Sequence, residues 1–358
     1  MIWTRTTWGA VSDLKYGKAL RGYSTDGGTV EVFGTNGPIG WTGESLANGP
    51  RPVVGRKGAY RGVHLARGPF WVIDTAYWLE PSGDIDPVWA YYNLLTVDIN
   101  GMDSGSAIPS LTKSHFVSMP LFLPTLDEQR RIAEVLGALD DLIDKNERLT
   151  ADAVELRRSL LDAAFGVATE HHALSSIARF VNGKNFTKGA DGAGRPIIRT
   201  PEVRVGVKAS TVRSSAAAAD DFIARAGDLL FVWSGSLCIG RWAEEDALVN
   251  QHVFKVIPNA GVPDWYVHAC LEWKLPWFLG LAADKATTMG HIQRAHLDAP
   301  VPKLSGDELG HLDARVRPLW ELELELSREN EQLRRTRDEL LPLLMAGAVR
   351  VRPEGVAA

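Results

Sequence analysis

The chain repeats its own plan. Two stretches about 180 residues apart carry the same motifs in the same order, which restricts the fold to two copies of one architecture. Val11-Ser-Asp-Leu-Lys-Tyr-Gly-Lys18 resembles Ile177-Ala-Arg-Phe-Val-Asn-Gly-Lys184. Ile73-Asp-Thr-Ala-Tyr-Trp-Leu-Glu-Pro81 lines up with Asn250-Gln-His-Val-Phe-Lys-Val-Ile-Pro258. A Pro/Asp-led aromatic segment follows each, at 86–95 and 263–273. Then Leu111-Thr-Lys-Ser-His-Phe116 matches Ile292-Gln-Arg-Ala-His-Leu297, and each copy closes with a proline-bounded strand, 120–124 or 300–302. The offset grows from 166 to 177 to 180, so the copies differ by loop insertions.

Short apolar runs at 30–33, 52–54, 70–73 and 229–233 stand between glycine-rich turns, the pattern of short strands. After each copy the period lengthens to that of a helix. Ile132, Val135, Leu139, Leu142, Leu149, Ala153, Leu156, Leu160 and Ala163 recur at spacings of three and four, interrupted by Asn146. An Asn in an apolar seam fixes register at some cost in stability. Thr125, with Glu128 three residues on, supplies a capping box. The second series is Leu312, Leu319, Leu322, Leu326, Leu333, Leu340 and Leu343, interrupted by Arg315, Glu329 and Thr336. Each helix runs about 40 residues, or roughly 60 Å, which is long for packing on one domain core alone. The two are expected to pack on each other. The expected class is α+β: two α/β globular domains at 1–125 and 169–304, long helices at 126–168 and 305–348, and a tail at 349–358.

Charge follows the same division. The net charge of -5 is concentrated in the helical segments: 126–166 holds six basic and ten acidic residues, and 306–358 holds eight and eleven. Residues 1–125 balance at ten each, and 167–305 carry fifteen basic against thirteen acidic. A mildly acidic total therefore does not exclude nucleic acid, because local patches decide. The apolar run needed for a membrane span is missing, and residues 1–10 lack a signal-peptide core. Cys238 and Cys270 offer neither a disulfide framework nor a zinc spacing. A cytoplasmic protein is expected.

Between Ser45 and Ile73 no acidic residue occurs, while Arg51, Arg56, Lys57, Arg61 and Arg67 all fall there among Gly55, Gly58, Gly62, Tyr60 and His64. Such a loop can bring guanidinium groups and backbone amides to phosphates, and Arg can fork onto guanine. A solvated basic turn is the alternative. The aligned place in the second copy holds Trp233, Ser234, Gly235 and Ser236, with Arg241 close behind. Upstream of it, Lys184, Lys188, Arg195, Arg199, Arg204, Lys208 and Arg213 face only Asp191 and Glu202. Lys18 occupies the place of Lys184, and Arg294 lies in the last repeated motif. Polar loops containing Ser106 and Thr287 precede the closing segments; either phosphate contact or capping accounts for them.

The stretch Pro120-Leu-Phe-Leu-Pro124-Thr-Leu-Asp-Glu128-Gln129-Arg-Arg-Ile132-Ala133, running on through Leu139-Asp140 and Ile143, resembles Type I restriction–modification specificity subunits. In that family a proline-bounded strand leads through a Glu-Gln pair and an Ile-Ala step into a long helix. Gly34-Thr-Asn-Gly37-Pro-Ile-Gly40, Val54-Gly-Arg-Lys-Gly58 and Ile73-Asp-Thr-Ala76 are similar to its first recognition domain. The second half departs, with Leu304-Ser-Gly-Asp-Glu308-Leu309 in place of the Leu-x-Glu-Gln pattern. The resemblance implies two recognition domains at opposite ends of an antiparallel helix pair, related by a pseudo-twofold axis. Each would read one half of a split, asymmetric site in double-stranded DNA. It further implies two modification methyltransferase subunits as partners, which would carry S-adenosylmethionine, and in full complexes two motor-nuclease subunits. The helix residues named above would form the helix pair and the subunit interface.

Enzyme readings have less support in the sequence. It lacks the Asn/Asp-Pro-Pro-aromatic loop of a methyltransferase and the P-loop of a motor. One nuclease-like string occurs, Pro263-Asp264 followed by Glu272-Trp273-Lys274, whose carboxylates would bind a metal beside a phosphate. Its intervening residues read as a helix. A diverged metal-dependent nuclease and a plain coiled-coil adaptor are the alternatives to a DNA-reading chain with no catalytic, metal or cofactor site of its own.

Overall fold

The computed structural model describes residues 3–24, 27–82, 84–102, 109–283 and 291–352. The chain falls into two compact units, residues 1–142 with 333–358, and 143–332. Each contains two four-stranded sheets, a two-stranded ribbon and one end of both long helices.

In the first unit, Thr4–Thr7 pairs antiparallel with Pro120–Leu123. One sheet runs in the order Ser12–Tyr16, Ala76–Pro81, Arg51–Gly55, Val63–Ala66. The other runs Gly37–Thr42, Val30–Gly34, Pro69–Val72, Ala47–Asn48, with its middle pair parallel. The second unit repeats this. His171–Ala173 pairs with Pro300–Pro302. Ala178–Asn182, Val253–Pro258, Leu229–Val232 and Cys238–Arg241 form one sheet. Arg213–Ser214, Arg195–Ile198, Ala247–Val249 and Ile223–Ala224 form the other, again with a parallel middle pair.

The repeat extends to single hydrogen bonds. Gly17 N donates to Ala76 O (3.1 Å) and Lys18 N to Val72 O (2.8 Å); Gly183 N donates to Val253 O (3.0 Å) and Lys184 N to Val249 O (3.1 Å). Both glycines are sterically required. A Cβ on Gly17 would lie 2.0 Å from Ile73 O, and one on Gly183 would lie 2.2 Å from Asn250 O. The aromatic segments are helices, Pro87–Leu95 and Asp264–Ala283, which bury Trp89 and Trp265 in their respective cores. Asp86 caps the former by accepting from Val88 N and Trp89 N.

The long helices, Leu126–Val167 and Gly306–Met345, pack against each other antiparallel. Within the first unit Arg337 Nη1 donates to Asp140 Oδ1 (2.8 Å), and the Tyr92 hydroxyl donates to the same carboxylate (2.6 Å). Within the second, Asn146 Nδ2 donates to Glu329 Oε2 (2.8 Å) and Arg157 Nε to Glu323 Oε1 (2.7 Å). Two of the interruptions read in the sequence, Asn146 and Glu329, thus satisfy each other.

The seam itself differs from the one expected. Ile132, Asn146 and Leu326 are buried, while Val135, Leu139, Leu160, Leu312, Leu319, Leu322, Leu333 and Leu340 are half-buried. Leu142, Leu149, Leu156 and Leu343 are exposed, Leu156 by 53%. Ala163 is exposed as well, and the innermost line on the first helix keeps Ile132, Asn146 and Ala153 from the expected series but otherwise runs through Leu136, Ile143, Arg157, Leu161 and Phe165. Apolarity alone misplaced the register, because several buried positions are polar. Asn330 and Arg157 are among them, and Arg157 is 2% exposed. A buried charge survives there because carboxylates surround it.

Candidate nucleic-acid interface

The basic loop of the first unit leaves the strand Arg51–Gly55 and turns back on the next one. Arg56 N donates to Thr75 O (2.9 Å), Leu111 N donates to Arg56 O (2.9 Å), and Lys57 bridges to Ser110. The Arg56 guanidinium lies over two aromatic rings, 5.1 Å from the centre of Tyr16 and 5.6 Å from that of Tyr77, where cation–π attraction holds it. Its Nη1 donates to Asp74 O (3.1 Å). Burial, then the hydrogen bond with Tyr16, pushes the Tyr77 phenol up to about 12, so it stays protonated. Lys57 Nζ is 3.6 Å from Asp74, and Tyr60 is 81% exposed at the loop tip.

A groove of about 500 Å³ opens beside Arg56, lined by Tyr16, Tyr77, Ser110, Thr112 and Lys113. Asp13 bridges Lys113 (2.6 Å) and Lys15 (2.7 Å) near this strand, and their hydrogen bonds hold its carboxyl below the usual range. The second unit has a groove of about 650 Å³ nearer the opposite end of its first strand, lined by Ser175, Arg179, Phe180, Asn259, Arg294 and Asp298, which shares with the first only the turn at Lys113 and Arg294. Each groove follows the first strand of its sheet and the turn before the closing segment. In both, backbone, hydroxyl and cationic groups converge, a composition suited to phosphates and base edges.

The second unit's counterpart to the basic loop carries different chemistry. Trp233 N donates to His252 O (3.2 Å), Ile292 N donates to Trp233 O (3.1 Å), and Ser234 bridges to His291. The Trp233 ring packs 5.7 Å from Phe254 and 5.7 Å from His252, and its Nε1 donates to Asn182 Oδ1 (2.8 Å). Ser236 is exposed, as are Lys18, Lys184, Lys188 and Arg294. Lys184 Nζ lies 4.2 Å from the Phe222 ring centre, and Arg294 Nη2 reaches Phe180 O at 3.4 Å. Ser106 and Thr287 lie outside the described residues.

Four of the arginines expected to contact DNA have partners within the chain. Arg61 is 4% exposed and donates to Gly58 O, Ile99 O, Asn100 O and Met102 O, pinning the loop from within. Arg51, half-buried, pairs with Glu80 (3.2 Å). Arg199 closes a capping box with Glu202 (2.8 Å) at the start of Thr200–Val205. Arg241 stacks 4.1 Å from the Trp320 ring centre and donates to Trp320 O, so it faces the long helix. Charge read from sequence does not reveal that an arginine has found internal acceptors.

Nor does the nuclease-like string form a site. Asp264 and Glu272 sit eight residues apart on one helix, about 12 Å along its axis. Asp264 accepts from Trp320 Nε1 (2.7 Å), while Glu272 lies against Arg157 (3.3 Å), Arg158 (3.6 Å) and His268 (3.4 Å). Burial would raise the Glu272 carboxyl, but His268 and Arg157 outweigh it and hold it down at about 2. Lys274 Nζ lies 5.3 Å from the Trp273 ring centre and 4.7 Å from that of Trp277. Among the described residues no group of three or more His, Cys, Asp or Glu could hold a metal ion. No described helix is long and apolar enough to cross a membrane.

Residues 46–154, which contain the Arg56 loop and the start of the first long helix, match the family model for the Type I restriction modification DNA specificity domain. That stretch, under a third of the chain, is similar to that family. A curated relative, the Type I restriction enzyme EcoprrI specificity subunit of Escherichia coli, is 32% identical over 111 residues. That alignment spans 31% of this chain and about 28% of the relative's own length. The fold of the whole chain is similar to that of the S subunit of a Type I restriction–modification system from M. genitalium, with a TM-score of 0.67 at 18% identity over 96% of each chain. The HsdS subunit from Thermoanaerobacter tengcongensis aligns over 97% of each chain at 15% identity and a TM-score of 0.32.

One buried residue within the matched stretch had its role left open by the sequence. Gln129, of the Glu-Gln pair, is fully buried; its Oε1 accepts from Asp86 N (2.8 Å) and its Nε2 donates to Asp84 O and Pro124 O (both 2.9 Å). It fastens the helix start to the cap of Pro87–Leu95.

Proposed function

We propose that this chain is the DNA-reading specificity subunit of a Type I restriction–modification complex. Each unit reads one half of a bipartite, asymmetric duplex site, and the chain performs no catalysis itself. Two modification methyltransferase subunits, which bind S-adenosylmethionine, dock on it, and in complexes that restrict, two motor-nuclease subunits join them in the cytoplasm. The observation that carries this reading is the duplicated frame bearing unlike side chains. Arg56-Lys57 and Trp233-Ser234 occupy one backbone position, an arrangement suited to two readers of two different sequences. The exposed leucines on the long helices, Leu149 and Leu156 in one unit and Leu142 and Leu343 in the other, support a role in docking helical partners. Long-read sequencing of methylated bases in cells with and without this gene is the test. One split motif should disappear with the gene. Replacing residues 1–120 by those of another specificity subunit should change one half of that motif, and a change in both halves or in neither refutes the modular reading.

A further inference from the structure

Residues 56 and 233 are the same position in two copies, fixed by the donor at 111 or 292, the acceptor at 75 or 252, and the bridge from the following residue. Each side chain rests on an aromatic residue of the same central strand, Tyr77 or Phe254, and meets the residue ending the first strand, Tyr16 or Asn182. We infer that this position is the base-discriminating residue of each unit, Arg56 reading a guanine and Trp233 the 5-methyl edge of a thymine. The inference rests on the DNA-reading function proposed above and assigns its two halves opposite chemistry.

The indole decides the matter. Trp233 has one donor, and Asn182 accepts it. What remains is half-buried carbon, which can offer nothing to a phosphate. If the position does one job in both units, that job is therefore contact with a base rather than with the backbone. The apolar feature that a base pair shows in the major groove is the thymine methyl. Arg56 is suited to the complementary task. Its guanidinium sits 5.1 and 5.6 Å from two ring centres and is anchored through Nη1, so the fork is held in place before a ligand arrives. Guanine, with O6 and N7 side by side, presents the paired acceptors that such a fork matches. A phosphate-seeking cation needs no such orientation.

The test uses the full chain. A duplex site is first selected from a random pool. Each guanine in the half-site assigned to the first unit is then replaced by 7-deazaguanine, and each thymine in the other half-site by uracil. One deazaguanine should weaken wild-type binding roughly 10-fold, and Arg56→Ala should remove that sensitivity. Arg56→Lys, which keeps the charge and loses the fork, should remove it too and guards against misfolding of the alanine variant. One uracil should weaken wild-type binding roughly 3-fold, an effect lost in Trp233→Ala and kept in Trp233→Phe. If both variants bind more weakly yet respond to every analogue as wild type does, the position reads no base, and the inference falls while the DNA-reading function stands. If no sequence is selected by the wild-type chain, both fall together.

Discussion

The two units share a backbone and differ in what they hang on it. Gly17 and Gly183 make the same close approach, and Thr125 with Glu128 has its counterpart 180 residues on in Ser305 with Glu308. Their interiors diverge where the long helices meet. The first unit joins them with an ion pair at the edge, Asp140 with Arg337, beside an apolar core containing Leu136 and Leu344. The second buries Arg157 among Glu323, Glu272 and the Trp320 ring. Positions that fix the path of the chain are held in common, and positions that fix its chemistry are not. A duplicated fold can thus keep one geometry while each copy acquires its own specificity and its own weak point.

That contrast can be broken most sharply at Arg157. Replacing it with alanine strands Glu323 and Glu272 in a low-dielectric interior, and about 3–5 kcal/mol should be lost. Hydrogen exchange should locate the loss in residues 143–332; equal loosening of residues 1–142 would show that the polar seam is not local to one unit. The shared glycines test the opposite side of the comparison. Gly17→Ala and Gly183→Ala each force a methyl into a carbonyl, and each should cost its own unit about 3 kcal/mol. Denaturant unfolding followed by exchange should give two matching local effects, whereas a tolerated alanine at either site would end the equivalence.

Acid should separate the units by a smaller margin. Glu272 has its carboxyl held near 2 against an ordinary 4.5, so its contribution is complete above 4.5 and disappears as pH falls toward 2. Over that window the second unit should lose about 2–3 kcal/mol, and Glu272→Gln should flatten the slope in equilibrium unfolding monitored by tryptophan fluorescence. An unchanged slope would remove Glu272 from the account. The mildest effect is expected at the surface. The double variant Arg56→Ala, Lys57→Ala should leave stability nearly intact while lowering the salt dependence of DNA binding, by about one unit of slope for each phosphate the loop no longer neutralises. An unaltered slope assigns Lys57 no phosphate.

Much of this was legible in the sequence because repetition is legible. The order of motifs matches the order of the sheet pairings, and the aligned position of Trp233-Ser234 opposite Arg56-Lys57 is the one the hydrogen bonds enforce. The second helix start could also have been read. Leu304-Ser-Gly-Asp-Glu308 departs from the first copy in sequence but not in chemistry, since Ser305 N donates to Glu308 Oε2 (2.7 Å) and Glu308 N to Ser305 Oγ (3.3 Å). The helix seam and the buried arginines were not legible. A hydrophobic period assumes that buried means apolar, and Arg157, Asn146 and Asn330 violate that assumption. Arg61 and Arg241 resemble surface cations until the carbonyls and ring that receive them are known.

The division of the chain has a consequence for its synthesis. The core of the first unit includes Leu344 and Met345 from the end of the last helix, and the Trp3 ring lies against Gly347. A ribosome therefore delivers every residue of the second unit, 143–332, before it supplies the segment that completes the first. The half whose first strands are made earlier is the half that must wait, its core open and Leu136 without its helical cover, until residues 333–345 emerge. Joining the two ends of the first unit by a linker beyond Val351 and opening the chain at a surface loop of the second unit would reverse that order while keeping the packing of Val351 on the first core.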